Sequence, residues 1–129
     1  MAFLVPNEGE DFCLEKIVNF ADTASQNLFL RLYENDVTPG ETDTVATYTE
    51  VTDGSYAAIE LTGSSWTILD GLASYAQQTF TIGTTQSIYG YYVTNYAGTV
   101  LVLAERFTST ITIGAGGGNV AVTPTINLD

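Results

Sequence analysis

Polar and apolar residues alternate along most of the chain with a period of two, and the exception comes first. Residues 11–21, DFCLEKIVNFA, carry apolar side chains at 13, 14, 17, 18 and 21. That is the spacing of one helical face, and acidic residues at 8, 10 and 11 suit the positive end of a helix dipole. The pattern predicts a short helix here, broken by DTASQ. From residue 27 onward the period is that of strands. In NLFLRLYEN, Leu28, Leu30 and Leu32 share one face and Phe29, Arg31 and Tyr33 the other. NDVTPGETD reads as a polar loop with Pro-Gly at its centre. TYTEV, YAAIELT, SWTIL, YAQQTFTI and IYGYYVTN read as further strands, with Asp-Gly or Gly turn signals in TDGS and LDGLAS between them. TVLVLAERF, TSTITIG and NVAVTPTINL complete the set, the last two flanking AGGGN as a hairpin tip.

Eight to nine short strands with turn signals about every 8–12 residues predict an all-β, antiparallel sandwich or barrel, jelly-roll-like in outline. The expected organisation is a short arm and helix over residues 1–26 and a β-sandwich over 27–129, together one compact domain. Within IYGYYVTN, strict alternation puts Ile88, Gly90, Tyr92 and Thr94 on one face and Tyr89, Tyr91, Val93 and Asn95 on the other. A glycine inside a strand marks a bulge, a bend or the close approach of an aromatic ring. The return strand is apolar on both faces, which predicts a central position covered on both sides, the second cover being another subunit.

Composition narrows the function more by exclusion than by indication. The chain has 129 residues, 45 % of them hydrophobic, enough for a core without disulfides or metal. Fifteen acidic residues face three basic ones, Lys16, Arg31 and Arg106, for a net charge of −12. That charge repels phosphate backbones and anionic membrane surfaces, so neither nucleic acid nor a membrane is expected as a partner. No apolar run reaches the length of a transmembrane helix, and MAFLVPNEGE lacks the pattern of a secretion signal. There is no histidine, so Ser-His-Asp and Cys-His catalysis are ruled out.

The remaining candidates for chemistry are weak on their own pattern. Cys13 is a lone cysteine among apolar neighbours, which predicts a buried structural thiol. Arg31 and Arg106 are expected to satisfy nearby carboxylates or carbonyls. The carboxylates fall in no glycosidase-like arrangement, and ENDVTPGETD lacks the ligand spacing of a calcium loop. GAGGGN is followed by neither Lys-Ser/Thr nor a helix, so it is no phosphate loop. Trp66 and the eight tyrosines suggest either sugar stacking or core packing. No catalytic residue, metal or cofactor is predicted.

Seven stretches in order, LVPNEGE (4–10), LRLYENDVTPGETDT (30–44), SSWT (64–67), SYAQQTFT (74–81), IYGYYVT (88–94), LAERF (103–107) and VTPTINL (122–128), span nearly the whole chain. Taken together the chain resembles the small virion proteins encoded beside the capsid genes of tailed bacteriophages, including cyanophages, some of which are capsid cement or decoration proteins. The resemblance implies a non-enzymatic component of the phage head surface, assembled in the host cytoplasm, with the major capsid protein and further copies of itself as partners. Cement proteins commonly sit as trimers, which implies two contact surfaces. The candidate for attachment to the shell is the apolar arm with Phe3, Leu4, Val5 and Pro6. The candidate for contact with a neighbouring subunit is Tyr89, Tyr91 and Val93. The competing expectations are a receptor- or glycan-binding module of a fibre or tail, resting on Trp66, and an enzyme such as a glycosidase.

Overall fold

The computed structural model describes residues 4–128. Its first element is the helix α1, Asn7–Ile17, which starts four residues earlier and stops four residues sooner than the apolar spacing predicts. The early start follows from Pro6, whose extended backbone caps the helix while its carbonyl accepts from the N–H groups of Gly9 and Glu10. Glu8 and Glu10 lie in the first turn and Lys16 in the last, complementing the dipole. The early stop is a Schellman turn. Asn19 takes a left-handed conformation with φ of 59°, Phe20 N–H returns to the Glu15 carbonyl, and Asn19 N–H returns to that of Lys16. Leu14 and Val18 are buried one turn apart, whereas Cys13 is exposed, which corrects its expected burial.

Nine strands follow among the described residues: β1 (Leu28–Tyr33), β2 (Ile59–Leu61), β3 (Thr67–Leu69), β4 (Leu72–Ser74), β5 (Gln78–Ile82), β6 (Gln86–Thr94), β7 (Leu101–Ile113), β8 (Gly118–Val122) and β9 (Thr125–Asn127). They form a four-stranded sheet in the order β2-β1-β6-β7, a three-stranded sheet β3-β4-β9 and a two-stranded pair β5-β8, with every pairing antiparallel. The fold is all-β and sandwich-like, with one short helix among the described residues.

One face of the four-stranded sheet carries Leu28, Leu30, Leu32, Leu61, Ile88, Tyr91 and Val93. The smaller sheets press Phe80, Ile82, Val120, Val122, Ala73 and Ile126 against it, and the helix closes one end with Leu14 and Val18. The opposite face is covered by the chain itself. The 34–49 loop folds back over the sheet, and Tyr48 joins Tyr33 and Tyr92 in a second cluster supported by Val37 and Val45. Tyr48 stacks on Tyr92 at 5.3 Å and meets Tyr33 edge-on at 4.9 Å.

Several sequence expectations change with this topology. TYTEV forms no strand of its own. It holds the end of a 3-10 turn at Val45–Thr47 and touches β1 through a single bridge, Tyr33 to Glu50. TVLVLAERF and TSTITIG merge into one strand of thirteen residues. That strand lies at the edge of its sheet, not at the middle. AGGGN is a corner rather than a hairpin tip. It carries the chain from β7 to β8, which pairs with β5, and Gly117 takes a φ of +78° there.

Strict alternation in β6 also fails at a definable point. Its register against β7 runs Ile88 to Ile111, then Gly90 to Arg106. Four residues of β7, 107–110, thus stand opposite Tyr89 alone. The bulge turns Tyr89 towards the tyrosine cluster, on the same side as Tyr92, while Ile88, Tyr91 and Val93 stay together in the main core.

Candidate interaction surfaces

The residues expected to make contacts separate into four groups. Phe3 lies outside the described residues. Leu4, Val5 and Pro6 are on the surface, with Leu4 86 % and Val5 40 % exposed. Tyr91 and Val93, nominated for a neighbouring subunit, are 4 % and 1 % exposed and belong to the main core. They lie on an inner strand paired on both sides, so their surface is already used within the chain. This corrects the expected subunit face. The Tyr91 hydroxyl donates to Glu105 Oε2 at 2.9 Å. Tyr89 is half-buried, with the Arg106 guanidinium 5.3 Å from its ring centre.

Beyond Pro6 lies an exposed apolar region that the sequence pattern does not single out. β3 and β4 form a two-residue hairpin at Asp70-Gly71, both with positive φ, and this sets Leu69 directly opposite Leu72. The inward neighbours Ile68 and Ala73 pack towards the core, so Leu69 and Leu72 face outward at 65 % and 42 % exposure. Phe12 on α1 is 60 % exposed, and Leu128 is also exposed. Side chains of the helix fix this end: Asn7 Nδ2 donates to Asp70 Oδ1 at 3.2 Å, and Gly71 N–H donates to Asp11 Oδ1 at 2.7 Å. Two open hollows meet at Asp70. One, of about 740 Å³, runs along Pro6, Asp11 and Phe12; the other, of about 450 Å³, runs along Thr67, Leu69, Leu72 and Asn127. The signal in the sequence was the pair of leucines flanking Asp-Gly, which a hairpin of this length places side by side.

A second surface lies where the 34–49 loop approaches the edge strand β7. Hydrogen bonds hold this loop throughout. Arg106 pairs with Asp36 at 2.6 Å and donates to the Val37 carbonyl at 3.0 Å, and the Tyr33 hydroxyl donates to the same carbonyl at 3.2 Å. Asn35 bridges to Thr47 and Thr49. Asp43 accepts from the Tyr48 hydroxyl at 2.7 Å and from Gly40 N–H at 2.8 Å, and these two donors hold its carboxyl below the ordinary carboxylate range. Between loop and strand runs a hollow of about 450 Å³ lined by Pro39, Gly40, Glu41, Asp43, Tyr48 and Leu101 to Ala104.

The charged and aromatic residues weighed for chemistry are occupied in structure. Arg31 bonds Glu50 at 3.0 Å and Thr94 at 3.1 Å, and the Tyr56 hydroxyl donates to the second oxygen of Glu50 at 2.7 Å. Both arginines thus serve nearby carboxylates. Trp66 is 3 % exposed and meets Tyr75 edge-on at 5.1 Å, so it offers no open face for a sugar ring. Among the described residues no group of three or more Cys, Asp or Glu side chains is placed to hold a metal ion, and no helix is long and apolar enough to cross a membrane.

No family model, no curated protein and no solved structure is significantly similar to this chain.

Proposed function

We propose that this chain is a structural protein of a tailed-phage virion that binds the outer surface of the head shell as a cement or decoration protein. The observation that carries the reading is the exposed apolar end built from Phe12, Leu69 and Leu72 around Asp70, on a chain of net charge −12. Apolar side chains gathered on one end of an otherwise strongly acidic body mark a contact surface, because exposing them to water is unfavourable and burying each large one is worth about 1.5–3 kcal/mol before ordering costs. The resemblance of the seven sequence stretches to small virion proteins supplies the partner. The acidity keeps free copies apart before they reach the shell. Assembly as a trimer belongs to this proposal, through surfaces other than Tyr91 and Val93.

Co-sedimentation with purified empty heads of the encoding phage tests the reading. The full chain is expected to pellet with heads, and the double variant Phe12→Ser with Leu69→Thr to bind at least about tenfold more weakly. Raised salt is expected to matter less than the double variant, since the contact is mainly apolar. Failure of the full chain to pellet at any head concentration contradicts the proposal. Undiminished binding by the double variant removes the apolar end as the attachment surface.

A further inference from the structure

The geometry points to a strand-addition site on the outer edge of β7, at Leu101–Arg106, which takes a short extended segment of a partner protein that is neutral or basic and apolar on alternate positions. This inference is separate from the shell contact at the Leu69 and Leu72 end and does not depend on it.

Three observations converge on this edge. The first is its backbone. β7 ends its sheet, and among the described residues no strand pairs with its outer side. Edge strands expose a row of unpaired donors and acceptors, and proteins ordinarily blunt them with brevity, lysine, proline, bulges or a covering loop; here the bulges fall at Val102 and 107–110 and leave 103–106 regular. The other edge of this sheet, β2, is three residues long. β7 is thirteen, and Leu101-Val102-Leu103-Ala104 contains neither lysine nor proline. All four residues are half-buried, and Val100 before them is 56 % exposed.

The second is the groove. The 34–49 loop stands beside this edge and leaves the hollow described above, floored by Tyr48 and Leu101 to Ala104. The loop is fixed by Arg106, Tyr33, Asn35 and the Asp43–Tyr48 pair, so a docking segment meets a formed wall and little ordering entropy is spent on the loop. Irregular pairing at Val102 and again at 107–110 leaves 103–106 as the regular part of this edge, so a docked segment pairs evenly over about four residues at the strand spacing of roughly 3.3 Å each and only irregularly beyond them.

The third is charge. The groove wall carries Glu41, exposed and free to meet an incoming cation, and the ionised Asp43. The three cations of the chain give them no relief: Arg31 is paired with Glu50, Arg106 with Asp36, and Lys16 lies over Phe12 on the helix. A second copy, itself at −12, is repelled from such a wall, whereas a lysine- or arginine-bearing segment is attracted. Main-chain bonds supply affinity and alternate side chains supply selection, as in other strand additions.

The test uses a six-residue synthetic peptide of alternating valine and lysine and two altered copies of it, titrated into the full chain and followed by amide chemical shifts. The unmodified peptide is expected to shift residues 39–48 and 101–106 selectively. A copy N-methylated on its bonding edge is expected not to bind, and a copy with glutamate for lysine is expected to bind at least tenfold more weakly. Glu41→Gln, which alters an exposed side chain, should weaken the lysine peptide several-fold with the fold intact. Absence of binding at millimolar peptide, equal binding of the N-methylated copy, or shifts elsewhere on the surface overturns the site. Concentration-dependent shifts at 101–106 without peptide overturn the assigned occupant in favour of a second copy.

Discussion

The ring of Tyr33 lies across Gly90. The two residues are directly paired between β1 and β6, and a Cβ at position 90 would fall 2.6 Å from the Tyr33 hydroxyl oxygen and 2.7 Å from its ring. The glycine thus makes room for the central ring of the tyrosine cluster, which in turn carries the 34–49 loop through the Val37 carbonyl. Gly90→Val drives its Cβ against the Glu105 backbone carbonyl of β7 as well as against that ring, and should lower stability by roughly 1–3 kcal/mol through overpacking. Thermal unfolding checks this. An unchanged melting temperature would mean that neither the ring nor the Glu105 carbonyl crowds this position and the packing account is wrong.

Glu50 joins the loop after the tyrosine cluster to the sheet. It accepts from Arg31 and from Tyr56, whose hydroxyl oxygen also accepts from Leu32 N–H. Glu50→Gln keeps the shape but removes the charge facing a partly buried guanidinium, and should cost about 1–3 kcal/mol. Denaturant unfolding of Glu50→Gln, Arg31→Met and the double variant checks the coupling. Strictly additive losses would contradict a direct pairing.

The parts of the fold that were legible in the sequence are those governed by local periodicity. β1 places Leu28, Leu30 and Leu32 in the main core and Arg31 and Tyr33 on the other side, as alternation requires. Gly90 could be read as a bulge or an aromatic approach, and both occur. What alternation misses is what depends on a partner strand. The extra residues 107–110 lie in β7, yet they reverse the side taken by Tyr89 in β6. Likewise, an apolar run on both faces marks coverage but not what covers it; within the chain it is the polar 34–49 loop carrying Tyr48, not another strand. Leu69 and Leu72 looked like ordinary strand residues because exposure depends on which side of the hairpin meets the helix.

Asp53 ties the loop before β2 to the turn between β5 and β6. It accepts from the Thr84 hydroxyl at 2.6 Å and from the N–H groups of Gly83 and Ser55 at 2.9 Å each, and these bonds, Thr84's foremost, hold its carboxyl below the ordinary value of 3.8. A folded-state value below the unfolded one gives stability that is complete above about pH 4–5 and is lost as pH falls through the folded value. Melting temperatures measured between about pH 7 and pH 3 should therefore decline less steeply for Asp53→Asn than for the native chain. Parallel declines would remove Asp53 as a source of acid sensitivity.

Burial, before any other cause, raises Tyr33, Tyr48, Tyr56, Tyr91 and Tyr92 above the ordinary phenol value of 10.0, with Tyr92 pushed up to about 12. Hydrogen bonds to carboxylates push in the same direction at Tyr48, Tyr56 and Tyr91. Raised values mean that the neutral phenols stabilise the fold fully below about pH 10, a contribution lost as pH rises through the folded-state values. In an alkaline titration, phenolate absorbance from these five should appear together with loss of the strand signal in circular dichroism. Complete ionisation of all eight tyrosines with the strand signal intact would contradict their burial.

The proposed place of this chain on the outside of a phage head is open to direct inspection in an electron-microscopy map of the encoding virion. The expected result is density for the β-sandwich body at repeated positions on the outer shell, with Phe12, Leu69 and Leu72 turned towards the capsid lattice. Heads that lack this density, or density for the chain confined to a tail or fibre, would contradict it.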